Sequence, residues 1–554
     1  MRGSPLAFLI AAVLVISAAG TAIAFTSSTD SQANQPQVAG VPLSNTSARF
    51  PTNKQNEPTV AIAHDGTHAI AGANDEQKQP PCGPGPQRGL TAARNNCSFF
   101  PGVGTSGVYT STDAGATWKN LGLLPGYSDT GSSVAASAGA LATSAPAGSL
   151  VSDGDPVIAI GPAFKNGSFS WANGTRAYYA NLSAFSAAGR PGNQFAEMIG
   201  VSISDDYGAS WYDPVVAAQS HGNVFNDKES LWVDRNPSSP FFGRVYVSYT
   251  EFRSIPSTAE PIIVVYSADG GLSWSKQNQV SSAYNNASRG GRQGSVVRTG
   301  PQGEVYVIFE DGDNKIGSQQ VAVVSLDGGV SFSSKITIAR VSDIADPIPG
   351  ANFRTDSFAS AAVDQSSGAV YVAWANRTST GGRIVVSKGT NQGRTWSGPM
   401  TVSTAAEGYA FFQGLDVAPN GRVDVGYQAL TVLGSATTYG TGNASINSYY
   451  TASANGGTTW SAPALVSSGS SDPAASSQNN LARQFWGDYS TLASTDSTAL
   501  FIYTDSRNGQ GCAAVDAYQH GIDRSGPAVA KPAPEDVCPS QFGNSDAYVS
   551  KITP

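Results

Sequence analysis

Short apolar runs recur along this chain, each broken by a cluster of Gly and small polar residues; Ile262-Ile-Val-Val-Tyr266 and Val321-Ala-Val-Val324 are two of them. Their length and their β-branched and aromatic content predict strands, because such side chains pack well on a pleated surface. The runs come in pairs. First members at 59–63, 156–161, 230–234, 294–299, 359–364, 414–418 and 489–494 lead, through a turn, to second members at 68–74, 176–181, 244–250, 304–310, 369–375, 422–428 and 499–504. Units of roughly sixty residues result, which places the chain among repeat architectures. The seventh unit reaches only a third strand, Asp546-Ala-Tyr-Val-Ser-Lys-Ile552. An open edge there invites aggregation, so residues 38–43 are expected to pair with it and close the ring, leaving 25–37 as a polar linker.

A second pattern follows the third strands. Ser267-Ala-Asp-Gly-Gly-Leu-Ser-Trp274 has the form Ser-x-Asp-x-Gly-x-x-Trp, which recurs from Ser111 to Trp118 and from Ser204 to Trp211. Ser325 to Phe332 ends in Phe, Ser453 to Trp460 carries Asn455 for Asp, and Gly389 to Trp396 is degraded. Ser and Asp side chains can accept backbone N–H bonds, Gly tolerates positive φ, and the aromatic ring anchors the turn. These stretches resemble the Asp-box (BNR) repeat of the sialidase-like β-propellers. The resemblance implies an all-β propeller over residues 38–554, read from the strand pairs as seven four-stranded blades, with six as the alternative because sialidases have six. It also implies that the turns lie on the face away from the active site.

Composition narrows the partners. The 554 residues include 61 Gly and are only 13% charged, as suits a turn-rich β protein with a large core. A net charge of -8 and a pI near 5.1 argue against nucleic acid, which calls for a basic stripe. Residues 6–25 are almost wholly apolar, follow Arg2 and end in Ala22-Ile-Ala24, so residues 1–24 read as a signal peptide, or alternatively as an N-terminal membrane anchor. The propeller is then extracellular or on the cell surface. Cys82 with Cys97 and Cys512 with Cys538 are close in sequence, which favours two local disulfides among three possible pairings. Several Asn-x-Ser/Thr sequons, Asn45 and Asn96 among them, would permit glycosylation.

Candidate chemistry lies on the face opposite the turns. The first strands open with polar residues: Glu57, Asp155, Asp227 with Glu229, Arg292 with Gln293, Asp356, Gln413, and Asp488 with Tyr489. The second strands close with Asp75, Asn181, Glu251 with Arg253, Glu310 with Asp311, Asn376, Gln428, and Asp505 with Arg507. Strand ends are rich in turn formers, but a convergent ring of carboxylates, Arg and aromatic residues in a concave mouth is a site hypothesis. Sialidases hold the sugar carboxylate with three Arg and use a Tyr nucleophile activated by Glu, because a carboxylate nucleophile would be repelled by the substrate. Tyr489-Ser-Thr-Leu492 is similar to the family's Tyr-Ser-x-Leu at the start of the last blade. The resemblance makes Tyr489, Glu229, Asp75 and Glu310 catalytic candidates, with Glu229 or Glu310 as the base. Arg253, Arg292, Arg483 and Trp486 are the substrate-binding candidates. The family's opening Arg-Ile-Pro, however, is Asn56-Glu57-Pro58 here, an Arg replaced by a Glu. Trp232 reads as core. Asp311-Gly-Asp-Asn314 reads as a plain turn rather than a calcium loop, and no cofactor or metal is expected. The functional expectation is a monomeric, sialidase-like glycoside hydrolase, of exo-α-sialidase type, acting on exposed glycans. The alternatives are a non-catalytic glycan- or protein-binding propeller and a structural surface protein.

Overall fold

The computed structural model describes residues 27–34, 50–79, 82, 86–87, 90–91, 97, 104–127, 150–185, 198–220, 224–253, 259–283, 290–313 and 316–554. Seven antiparallel sheets form a ring. Blade 1 runs outward through Gln55–Ile62, Ala69–Asp75, Ser106–Ser111 and Lys119–Leu123; blade 2 through Val157–Lys165, Ser168–Phe185, Met198–Ser204 and Val215–Gln219, with Leu150–Ser152 added. Blade 3 comprises Val224–Val233, Val245–Arg253, Ile262–Ser267 and Asn278–Gln279; blade 4 comprises Arg292–Thr299, Val305–Asp311, Gln319–Ser325 and Ile336–Arg340. Blade 5 comprises Ser360–Val363, Val370–Thr378 and Gly381–Thr390, with Thr395–Trp396 and Met400–Thr401 at its edge. Blade 6 comprises Tyr409–Val417, Val423–Val432, Ala444–Ser453 and Ala464–Leu465. Blade 7 takes Thr491–Ser494, Ala499–Asp505 and Asp546–Thr553 from the C-terminal end and Ser27–Gln32 from the N-terminal end. The count is seven rather than six.

The apolar core sits between blades. Tyr178, Val201, Leu231 and Val247 join blades 2 and 3, Val264, Val297 and Val307 join blades 3 and 4, and Ala71, Leu500 and Val549 join blades 7 and 1. Each central strand is therefore buried on both faces, which is why it reads as a continuous apolar run instead of an alternating one. Hydroxyls on the innermost strands stitch neighbours together. Thr59 Oγ1 accepts Ile158 N at 3.3 Å, Ser230 Oγ accepts Val297 N at 3.2 Å, Ser360 Oγ accepts Leu415 N at 3.0 Å and Thr491 Oγ1 accepts Val60 N at 3.0 Å.

The repeated turns have one geometry. In the copy at Ser267, the Ser hydroxyl bonds Asp269 Oδ1 at 2.8 Å and accepts Gly271 N at 2.8 Å, while Ser273 N donates to Asp269 Oδ1 at 2.9 Å. The copies at Ser111, Ser204, Ser325 and Ser453 repeat these bonds. A cation from the preceding blade then latches onto the turn. Arg176 Nη1 donates to Gly270 O at 3.0 Å, Arg244 Nη1 to Gly328 O at 2.7 Å, Lys388 Nζ to Gly456 O at 3.0 Å and Lys551 Nζ to Asp113 O at 2.9 Å. The turns tie blade to blade.

Closure by an N-terminal strand is observed, but the strand is Ser27–Gln32, in the stretch expected to be linker; residues 38–43 lie outside the described residues. An outermost strand is half in solvent, so its Ser-Ser-Thr-Asp-Ser-Gln sequence carries no apolar signal. Asn34 is the clasp: Nδ2 donates to Asp546 Oδ1 at 2.8 Å and to Gln55 Oε1 at 2.9 Å, while Oδ1 accepts Ala547 N at 3.0 Å.

Both expected disulfides are present, Cys82–Cys97 and Cys512–Cys538, and they share a small core with Phe50, Leu481, Val515 and Phe542. Blades 1 and 7 thus carry one braced rim, to which the helix Ala513–Asp523 belongs. Residues 467–480, a Ser- and Ala-rich connection between blades 6 and 7, are packed: Ala474, Ala475, Ser476 and Ser477 are buried around the short helix Pro473–Ala475. Residues 1–26 lie outside the described residues, and no helix among those described is long and apolar enough to cross a membrane.

Asp269→Ala should lower stability by about 1 kcal/mol in chemical denaturation, because the turn loses bonds to Ser267, Leu272 and Ser273 while its backbone latch to Arg176 remains. Asn34→Ala should cost about 2 kcal/mol, because it leaves the buried Asp546, Gln55 and Ala547 groups short of partners. A closing strand that adds nothing to stability would leave that variant's denaturation midpoint unchanged.

Candidate functional site

The innermost strands open on the face away from the repeated turns, since Asp227 and Ser267 lie at opposite ends of the antiparallel blade 3. There the backbone does something the strand pattern does not predict. Glu57, Lys228, Gly294 and Phe412 take left-handed φ values of 52°, 53°, 68° and 45°, each inside a register shift of its first strand. Asp155 does the same at φ 53° just before the first strand of blade 2. A left-handed bulge re-aims the side chain it carries, at a cost of about 1–2 kcal/mol for a residue with a Cβ. Gly294 shows the alternative: a Cβ there would lie 2.5 Å from the Phe358 ring, so only glycine fits. At Glu57, Asp155 and Lys228 the strained conformation carries an ionisable side chain into the mouth.

The mouth is a mesh of acids with two cations. Arg354 grips Asp488 with both ends of its guanidinium, at 2.7 and 2.5 Å, and lies 3.6 Å from Glu57 Oε1. Asn74 bridges blades 1 and 2, donating to Glu57 Oε2 at 2.7 Å and accepting Asp155 N at 2.9 Å. Asp155 accepts Lys228 N at 3.2 Å, and Gln293 donates to Asp227 Oδ2 at 2.7 Å. Lys228 Nζ sits 3.5 Å from the centre of the Tyr489 ring. Glu229 is 4% exposed, and among the described residues neither of its oxygens has a hydrogen-bond partner.

Crowding sets the protonation. Burial, with the charges of Asp155 and Asp488, pushes Asp227 up to about 8. Burial pushes Asp356 up to about 7, helped by Asp343 and Asp488 and opposed by the Ser357 N–H. Glu57 and Glu229 are raised well above the usual carboxylate range, first by burial and then by Asp155. Burial also raises Asp488, with Arg354 pulling it back, and depresses Lys228.

The sequence candidates divide. Tyr489 reaches the mouth, but its hydroxyl meets Pro156 O at 3.4 Å instead of a carboxylate, and burial with Asp155, Glu57 and Glu229 raises the phenol further. Glu229 shares that wall. Glu310 groups instead with Asp343 and Asp356, and burial followed by their charges raises it. Asp75 is 1% exposed within blade 1, bonded to Gln55, Tyr109 and Gln77. The arginines do not converge. Arg253 pairs with Glu251, Arg292 is 2% exposed and lies 3.1 Å from Asp311, and Arg483 lies 2.9 Å from Asp346. Trp486, expected to be a stacking platform, is 0% exposed and donates its indole N–H to Gln428 at 2.8 Å, so both ring faces are packed in the core. Lys228 and Arg354 were not among the candidates. The stretch Asp227-Lys228-Glu229 and the Arg-x-Asp of Arg354 to Asp356 were the signals available for them.

No family model matches the chain, and no curated protein matches it in sequence. Among solved structures it is similar to a protein of unknown function from Dyadobacter fermentans, with TM-score 0.41 and 12% identity over 72% of this chain and 93% of that one. It is similar to an α-L-arabinofuranosidase of Fusarium graminearum, with TM-score 0.40 and 13% identity over 68% and 90%. It is also similar to the NanB sialidase from Streptococcus pneumoniae, with TM-score 0.39 and 11% identity over 70% and 68%. At such scores these likenesses carry no argument, and the propeller rests on the chain's own strand pairing.

The raised acids make stability pH-dependent. The folded chain keeps protons on Asp227 and Asp356 that the unfolded chain, titrating near about 4, has released. Their contribution is full below about pH 4 and is lost as pH rises through 7 to 8, the values to which Asp356 and Asp227 are pushed. The thermal midpoint should therefore fall between about pH 5 and pH 8, and Asp227→Asn should flatten that fall; an identical profile in the variant would remove Asp227 from the linkage.

Proposed function

We propose that the chain is a glycan-acting propeller hydrolase of the Asp-box, sialidase-like kind, exported to the cell exterior. Its mouth works through carboxylic acids. The observation that carries this reading is the convergence of Glu57, Asp155, Asp227 and Asp488, from four different blades, on a concave mouth whose cations are Lys228 and Arg354. Glycoside hydrolysis needs one carboxylic acid that keeps its proton for the leaving oxygen and one carboxylate to direct water or steady the developing positive charge. Asp227, pushed up to about 8, suits the first role. Asp488, held by Arg354, suits the second. A mouth this rich in acid, with Arg253, Arg292 and Arg483 engaged elsewhere, favours uncharged sugars over sialosides. Cleavage after Ala24 would leave the closing strand Ser27–Gln32 in the mature chain.

A binding-only propeller is the second reading. It is favoured by Tyr489, whose ring is covered by Lys228 and whose hydroxyl has no carboxylate to activate it. Fluorogenic glycosides, sialosides included, discriminate. A neutral glycoside should be hydrolysed, Asp227→Asn should reduce kcat by about 10²- to 10⁴-fold, and Tyr489→Phe should leave most of it. Sialoside cleavage abolished by Tyr489→Phe would restore the tyrosine mechanism, and glycan binding without any turnover would establish the second reading.

A further inference from the structure

The channel continues past the acidic mouth. Its wall follows residues 59–62, 157–160 and 229–233 to the end that carries the repeated turns, where Arg235, Arg298 and Asp416 line it. Arg235 follows the first strand of blade 3, and Arg298 lies on the first strand of blade 4. Both guanidinium groups lie over the ring of Trp232, at 4.5 and 4.4 Å from its centre, and Thr299 Oγ1 holds the indole N–H at 3.0 Å. Trp232, expected to be core, is thus a half-buried platform for two cations.

These cations are poorly matched inside the protein. Arg298 donates Nη1 to Val297 O at 2.7 Å, while its buried Nε has no hydrogen-bond partner among the described residues. Among the described residues Arg235 has no hydrogen-bonded acceptor and no ion pair. Asp416 is the carboxylate whose charge reaches both arginines. Its oxygens are taken by Val417 N and Ser494 N, at 2.9 Å each, and it forms no ion pair with either Arg. The channel wall desolvates both groups: it lowers Arg235, although that side chain is open to solvent, and brings Arg298 down to about 10, which leaves Arg298 charged at neutral pH. Stacked guanidinium groups with free donors on a rigid aromatic ring match the planar fork of a carboxylate or the face of a sulfate.

We propose that this end of the channel is an oxyanion site, in which Arg235 and Arg298, stacked on Trp232, hold a carboxylate or sulfate group, free or borne on a sugar. Asp416, across the lumen, weakens an anion that approaches it and favours a ligand that turns a hydroxyl toward it. The site is separate from the acidic mouth and does not depend on hydrolysis there.

Isothermal titration of the full chain with sodium sulfate and, separately, with glucuronate, each against sodium chloride of equal ionic strength, tests the proposal. Matched ionic strength removes general screening as a cause. Saturable binding at one site per chain is expected. Arg298→Met should weaken it at least tenfold, Asp416→Asn should tighten it, and Lys119→Met, at an exposed position on the outer strand of blade 1, should leave it unchanged. Sulfate bound as tightly as glucuronate identifies a free-anion site, whereas glucuronate bound more tightly identifies an acidic sugar as the ligand. If Arg298→Met does not fold, Arg235→Gln, a change at an exposed side chain, gives the same reading. Absence of saturable binding by both anions, or equal binding by folded Arg235→Gln and wild type, overturns the site.

Discussion

Every blade of this propeller buries both of its faces against neighbours, so no blade has a stable existence outside a closed ring. The whole structure therefore depends on one junction, where Ser27–Gln32 pairs with Asp546–Thr553 and Asn34 bonds Asp546, Gln55 and Ala547. That junction is polar, because the closing strand is outermost. Its strength lies in buried hydrogen bonds that would be costly to leave unmade, rather than in apolar area. The cation-to-turn latches and the Ser/Thr hydroxyl bonds between innermost strands extend the same logic around the ring.

The mouth spends stability on position. Glu57, Asp155 and Lys228 occupy left-handed backbone that glycine adopts at lower cost, as at Gly294, and Glu57 and Asp155 join a crowd of like charges into which Lys228 brings a cation. Strain and repulsion at one place, tolerated because the surrounding blades over-determine it, are what a functional site looks like in physical terms. Crowding also performs chemistry, since it holds protons on acids at a pH where an exposed carboxylate would have lost them.

The two ends of the channel differ in sign. Carboxylates dominate where the first strands open, and Arg235 and Arg298 dominate where they close. The first strands connect the two ends, so a ligand group at either end lies in the field of the other.

Strand positions, blade count and disulfide pairing were legible in the sequence because they depend on local pattern: apolar runs buried on both faces, turns built from neighbouring residues, and cysteines close along the chain. Asp227, Glu229, Asp488 and Tyr489 could be placed at the mouth for the same reason, as each opens a first strand. Other features were decided by the tertiary structure alone. Ser27–Gln32 is a strand only because a distant edge needs it, and Trp486 is core only because Gln428 and Phe353 meet it there. Arg354 belongs to the site because a connection between blades 4 and 5 reaches Asp488, over a hundred residues away. Arg292 is withdrawn from it by Asp311 on the adjacent strand. Hydrophobic period and turn chemistry act over a few residues, and so one sequence displays them. Ion pairing and protonation depend on which charges the ring brings within a few ångströms, and that distance exists only once all seven blades have closed.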